Sequence, residues 1–217
     1  MGFLVGLRAE ARLLRPLGGG GDVLVEISGA SPAGASAAVT RLIAAGATSL
    51  VSLGVAAGLD PDARPGDLLV PSRIVVATAT GSRDYFTDLT LCARLGGMTP
   101  GALLHSDVAV TTPQAKRELF AASHCTALDM ESGILAAAAS EAGLPFAALR
   151  AVCDPAGSGL PAAALVALGA DGRLRPRAIL ASLLRRPQQL PALVGLASHA
   201  SMARRALAGR IPRIRLA

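Results

Sequence analysis

The stretch Ala127–Ala156, ALDMESGILAAAASEAGLPFAALRAVCDPA, decides how the rest of the chain is read. It holds two acidic groups, Asp129 with Glu131 and then Asp154, separated by a predicted helix and a predicted strand. Met130, Glu131 and Ser132 open the helix. Ile134, Leu135, Ala138 and Ala142 recur at helical spacing, and Ala136, Ala137 and Ala139 add high helix propensity. Gly143 and Pro145 mark its end. Phe146 to Val152 reads as a short buried strand, with Asp154 just past its C-terminal end. Open α/β sheets hold their ligands at strand ends.

Taken singly, each acid has a plainer role. Glu131 is then a charge facing the helix dipole, and Asp154 a turn residue before Pro155. Taken together, DMES, the small-residue helix, GLPF and RAVCD resemble the signature of the nucleoside phosphorylase/nucleosidase superfamily. Its members cleave the N-glycosidic bond between a ribose and a base. The resemblance implies a three-layer α/β/α fold with a central twisted mixed β-sheet. It covers residues 1–217 as one domain, with a basic helical segment at about 160–217. It also implies a homo-oligomer, since relatives build their sites at dimer contacts.

Composition agrees with a single α/β domain: 217 residues, 52% hydrophobic and 17% charged, are enough for a sizeable core. Aromatics are 2%, with no Trp and one Tyr, which argues against stacking platforms for single-stranded nucleic acid. Cys92, Cys125 and Cys153 are odd in number and lack CxxC spacing, as in a reducing cytoplasm. No secretory signal or uninterrupted membrane span is read, so a cytoplasmic location is expected. The net charge of +6 is uneven: from Leu160 onward there are ten arginines and one acid, Asp171. The tail is basic and the body slightly acidic.

Along the chain, Gly2–Gly6 is a predicted strand and Leu7–Leu14 a helix carrying Glu10. By itself Glu10 reads as an exposed acid linked to Arg8 or Arg12. GLRAEARLL resembles the family's N-terminal segment, which implies that Glu10 orients the attacking water or holds the sugar. Pro16–Asp22 is a glycine-rich turn with neither a dinucleotide fingerprint nor a P-loop. Asp22–Ser28 is a second strand. The SGAS loop that follows opens a helix to about Ala45, whose first amides either face an anion or simply make a tight turn.

Ser49–Leu53 is a buried strand running into Gly54-Val-Ala-Ala-Gly58, which resembles the family's glycine-rich loop over the ribose. Gly54, Val55, Ala56 and Gly58 are therefore candidate sugar contacts. Val55 stands where many relatives carry a hydroxyl, which weakens the case for phosphate. Pro65-Gly66-Asp67 is turn chemistry. Ser72–Ala79 is a strand, and Gly81–Gly97 is expected to be a flap. Leu103–Val110 reads as a strand before a helix capped by Thr111 or Thr112. In relatives this strand end lines the base pocket, so Asp107 and Val108 are expected there. Leu160–Leu168 is a small apolar element. Arg177–Arg186 and Leu190–Ala208 are helical, separated by Pro187.

Breaking a ribosyl C–N bond makes the sugar cation-like and the departing purine anion-like. Asp154 is the expected proton donor to the base, Glu131 the grip on the ribose hydroxyls with Met130 against the sugar face, and Asp129 a neighbouring contact. Arg150 is expected beside an incoming phosphate or a polarised water, and Glu10 beside that water. No metal or cofactor is expected, because His105, His124 and His199 lack ligand spacing. Inorganic phosphate is a candidate co-substrate. The tail, with LLRRPQQLPAL, resembles the hopanoid-associated phosphorylases, which implies adenine release from adenosylhopane, a lipid-linked nucleoside. A basic amphipathic helix pair also suits peripheral contact with anionic lipid, although an ordinary packing pair has the same pattern. The competing readings are a methylthioadenosine/adenosylhomocysteine-type nucleosidase, a general purine nucleoside phosphorylase, and a catalytically silent membrane- or nucleotide-binding protein. Binding to nucleic acid through the arginines lacks base-reading groups.

Overall fold

The computed structural model describes residues 1–20, 23–165 and 175–216. Its strands are β1 (Gly2–Val5), β2 (Leu24–Ile27), β3 (Leu50–Gly58), β4 (Leu68–Leu69), β5 (Arg73–Thr78), β6 (Gly81–Phe86), β7 (Leu103–His105), β8 (Ala127–Asp129) and β9 (Phe146–Asp154). The α-helices are α1 (Arg8–Leu13), α2 (Pro32–Ala44), α3 (Leu89–Arg94), α4 (Pro113–Ser123), α5 (Ser132–Glu141), α6 (Ala162–Leu165), α7 (Pro176–Arg185) and α8 (Leu190–Arg210). One mixed sheet runs β2-β1-β3-β8-β7-β5-β6, and β9 pairs with both β3 and β4. The expected α/β architecture with a mixed central sheet is present.

Alternation along the strands builds the layers. Leu4, Leu50 and Ala148 face α2 and α5, packing against Ala38, Leu42, Leu135 and Ala139. Phe3, Val51, Ala147 and Leu149 face the other way, onto Leu14, Leu91, Leu95, Ala203 and Leu207 of the α1, α3 and α8 side. A third cluster seats α4: Leu119 and Phe120 pack on Val75, Leu104, Cys125 and Leu128. Small residues allow this close stacking. Helix α5 carries four consecutive alanines, Ala136–Ala139, of which Ala136 and Ala139 are buried against the sheet.

Several expectations change. Gly54–Gly58 is not a loop: β3 continues through it, paired with β9 from Leu50 to Ala57. Gly81–Gly97 is not a flap. Its first part is β6, zipped antiparallel to β5 over six residue pairs, and its second part is α3 with Leu91 and Cys92 buried. The strand expected at Leu103–Val110 stops at His105. Pro16–Gly20 belongs to a 3-10 turn, Arg15–Gly20. Asp154 ends β9 instead of following it. The apolar element expected at Leu160–Leu168 is α6 over Ala162–Leu165, and its last residues lie outside the described ones.

Candidate active site

Strand β1 ends at Val5, and Gly6 and Leu7 turn the chain into α1. Glu10 is the third residue of that helix and is 2% exposed. Its Oε2 accepts from the Leu7 backbone N–H at 2.9 Å, closing the first turn. Its Oε1 accepts from the Val55 N–H at 3.0 Å, joining α1 to β3. Burial raises its pKa, against the pull of Arg150 and the backbone N–H groups of Leu7, Val55 and Gly6. The exposed, salt-linked role is excluded.

Arg150 is the hub. It projects from the middle of β9, opposite Gly54 of β3, and is 1% exposed. Its Nη2 pairs with Asp129, reaches Glu131 Oε2 at 3.3 Å and donates to Ser52 Oγ at 2.5 Å and Ser132 Oγ at 3.2 Å. Nη1 donates to the Val55 carbonyl at 3.4 Å. The guanidinium is thus held by internal partners through Nη1 and Nη2, while its buried Nε has no hydrogen-bond partner among the described residues. Gly54 makes room for this. A Cβ there would stand 2.6 Å from Arg150 Nη1 and 2.7 Å from Glu10 Oε1.

Glu131 sits at the N-cap position of α5 but makes no side-chain cap bond. Asp129 takes that task, accepting from the Ser132 N–H at 3.2 Å and from the Ser132 hydroxyl. Asp129 therefore braces the helix start and Arg150, and is 4% exposed. Glu131 instead points at Arg150 and at Ser28, whose Oγ donates to Oε1 at 3.3 Å. Burial first, then the charges of Asp129 and Glu10, push Glu131 up to about 7, against Arg150 and the Ser28 hydrogen bond. Ser28 lies on the turn into α2, where Gly29 and Ala30 adopt φ of +69° and +54°. Met130 is half-buried beside Glu131.

Asp154 lies four residues beyond Arg150 on β9, roughly 13 Å along the strand at about 3.3 Å per residue. The β3 pairing skips Cys153: Ala56 is opposite Val152 and Ala57 opposite Asp154. Such a bulge re-aims the side chain that follows. The carboxyl is buried, at 3% exposure, and Oδ2 meets Lys116 Nζ at 2.7 Å. Oδ1 is buried without a hydrogen-bond partner among the described residues. Burial raises the Asp154 pKa, against Lys116 and the more distant His199. Cys153, just before Asp154 on β9, is partly buried. Its thiol is pushed up to about 12 by burial, then by the charges of Asp154 and Glu10 together.

The structure thus gathers Glu10, Asp129, Glu131, Arg150, Gly54 and Val55, and sets Asp154 at the end of the same β9. Ala56 is buried in the intervening strand, and Gly58 lies under the Asp154 turn, where a Cβ would meet Pro155 Cα at 3.4 Å. Asp107 and Val108 are not brought in. The Asp107 side chain is 80% exposed, near His105 Nε2 at 3.4 Å, and Val108 is 68% exposed. With β7 ending early, nothing carries them to the acids. Ser28, Ser52, Ser132 and Lys116 escaped sequence reading, since short polar side chains and a lone lysine carry no pattern of their own. Two surface hollows, of ≈410 Å³ between α1 and α8 and ≈440 Å³ between α6 and α7, have no acid in their linings. In the buried cluster, by contrast, carboxyl groups and cations meet at bonding distance.

Solved structures with the same fold include the 5′-methylthioadenosine/S-adenosylhomocysteine nucleosidase from Neisseria meningitidis in complex with methylthio-immucillin-A. It has 16% identity and a TM-score of 0.73, over 98% of this chain and 96% of that one. Futalosine hydrolase of Helicobacter pylori has 18% identity and a TM-score of 0.72, over 98% and 95%. The 5′-methylthioadenosine/S-adenosyl homocysteine nucleosidase of Helicobacter pylori has 18% identity and a TM-score of 0.67, over 97% of each chain. No curated protein matches the chain in sequence. The family profile described as the phosphorylase superfamily matches residues 9–185, and the chain belongs to that superfamily.

Proposed function

We propose that the chain cleaves the N-glycosidic bond of a purine nucleoside, with water as the nucleophile. The observation that carries this reading is the buried cluster of Glu10, Glu131 and Arg150, with Asp154 at the end of the strand that bears Arg150. The C1′–N bond breaks with its electron pair going to the base, and Asp154 in its protonated form gives the base a proton. Water bonds to C1′ and gives a proton to Glu10. Solvent returns the proton balance between the two acids. Glu131 accepts from the ribose hydroxyls, and its hold strengthens as the sugar becomes cation-like.

The occupied guanidinium favours water over phosphate. Three carboxyl groups face one guanidinium, and that guanidinium is already held by Asp129, Ser52 and Ser132. A phosphate anion would have to compete with those partners for the guanidinium. The names of the similar structures, two nucleosidases and a hydrolase, lean the same way. The test is product analysis with and without inorganic phosphate. Free sugar released at a phosphate-independent rate is expected; a sugar 1-phosphate overturns hydrolysis.

The finer substrate we infer is adenosylhopane, from the resemblance of the tail. Support comes from a basic and apolar pair of helices. Residues 175–216 contain nine arginines and no acid. On that segment Leu180, Leu184, Leu190 and Val194 are 52–76% exposed. The far end of α8 buries Ala203 and Leu207 on the body, so α7 and the start of α8 are the part left to meet an anionic lipid surface. Among the described residues no helix is long and apolar enough to cross a membrane. Pelleting with anionic but not neutral vesicles is expected, and is lost on Leu180→Ser with Leu184→Ser. Failure to pellet overturns the lipid reading, and a homo-oligomer dissociated by the same substitutions assigns the face to a second copy of the chain. Adenine release from methylthioadenosine but not adenosylhopane favours the soluble nucleosidase reading instead.

A further inference from the structure

Lys116 is fully buried, at 0% exposure, in the first turn of α4. Its helix start is fixed by the Thr112 cap, whose hydroxyl accepts from the Ala115 N–H at 3.2 Å, and by Pro113 behind it. Its Nζ donates to the carbonyls of Asp154 at 3.2 Å, Pro155 at 3.0 Å and Ser158 at 2.9 Å. The same Nζ lies 2.7 Å from Asp154 Oδ2. Four acceptors thus surround an ammonium with three protons. The turn is tied a second time to α4, through the Leu160 N–H to the Thr111 carbonyl at 2.9 Å. A buried ammonium is retained at this cost in desolvation when its partners are fixed around it.

We infer that Lys116 is a positioning residue for Asp154: it clamps the turn after β9 and aims the Asp154 carboxyl. This rests on the reading of Asp154 as the proton donor. Three carbonyls fix the ammonium independently of the carboxyl, so the ammonium holds its place whichever protonation state Asp154 adopts. The groups facing Asp154 are Lys116 from α4, His199 from α8 and Cys153 from its own strand. Of these, Lys116 makes the direct contact. Its charge opposes the effect of burial, and so keeps the donor from holding its proton too tightly.

The test uses Lys116→Met in the full chain. The high-pH limb of the rate profile, where the donor loses its proton, is expected to move upward by about 1 to 3 pH units. A drop in kcat with little change in KM accompanies it, since Lys116 touches backbone and carboxyl but not the sugar cluster. Lys116→Arg keeps the charge and is expected to leave the limb nearer its original place. A limb that stays put in Lys116→Met, while Asp154→Asn abolishes turnover, overturns the positioning role and leaves the donor assignment standing. Full turnover in Asp154→Asn overturns both. Should Lys116→Met not fold, the wild-type Lys116 ammonium signal is followed by NMR. It is expected to shift as Asp154 titrates and to stand still in Asp154→Asn; a wild-type signal indifferent to that titration overturns the inference.

Discussion

Two acidic sites lie along β9 with different ratios of carboxyl groups to cations. Around Arg150, three carboxyl groups, Glu10, Asp129 and Glu131, share a single guanidinium. At Asp154 one carboxyl has an ammonium to itself. The first group has more carboxyl groups than cations and is held from four elements, which suits a place where positive charge develops on a substrate. The second is close to neutral and keeps one oxygen unpartnered among the described residues, which suits a place where a proton is handed over. On the proposed reading the division follows the reaction: sugar at the crowded acids, base at the paired one.

The sharpest way to break this comparison is to remove the proton and keep the shape. Asp154→Asn is expected to lower kcat by about 10²- to 10⁴-fold. The Arg150 cluster is untouched, so the KM change is small. Adenine release measured by absorbance checks it, and full turnover ends the assignment. Next comes the hub itself. Arg150→Met leaves three buried carboxyl groups without their cation, and about 3–5 kcal/mol of stability is expected to go. Denaturant unfolding measures this. A loss under 1 kcal/mol would mean that the acids were already neutral or hydrated.

A third test reads the carboxyl excess through pH. Glu131 stands at about 7 against an ordinary 4.5. A carboxyl raised on folding adds stability that is whole below its unfolded pKa and disappears as pH climbs through the folded one. The window therefore runs from pH 4.5 to about 7. At about 1.4 kcal/mol per unit the loss is roughly 3 kcal/mol. Glu10 and Asp154, raised by burial as well, add slopes of the same sign. Glu131→Gln is expected to flatten the wild-type curve across that window; identical curves place the proton elsewhere.

How far all this was legible differs between the two groups. DMES and RAVCD place acids at the start of a helix and the end of a strand, and that local order survives in α5 and β9. Partners of those acids are another matter. Ser28 meets Glu131 across 103 residues, Ser52 meets Arg150 across 98 and Lys116 meets Asp154 across 38. Such contacts depend on which strands are neighbours, which periodicity does not encode. β6 was missed for a related reason: GSRDYF is exposed almost throughout, so no apolar alternation marks it. The glycines of β3 suggested a loop because glycine usually punctuates strands. Here Gly54 is required by what presses on it from β9 and α1.

That pressure gives the smallest and most local prediction. A methyl at position 54 would stand 2.6 Å from Arg150 Nη1 and 2.7 Å from Glu10 Oε1, so one of them must shift. Glu10 is the one with less freedom, being tied to two backbone N–H groups, whereas Arg150 reaches its partners on a long side chain. Gly54→Ala is therefore expected to cost about 1–3 kcal/mol in stability and to raise KM through a displaced sugar cluster. Gly54 lies opposite Arg150, which stands four residues before Asp154 on β9. The high-pH limb of the rate profile should then stay where it is. A limb that moves with Gly54→Ala would mean that the two groups of acids respond as one, and that their separation along β9 does not divide the chemistry.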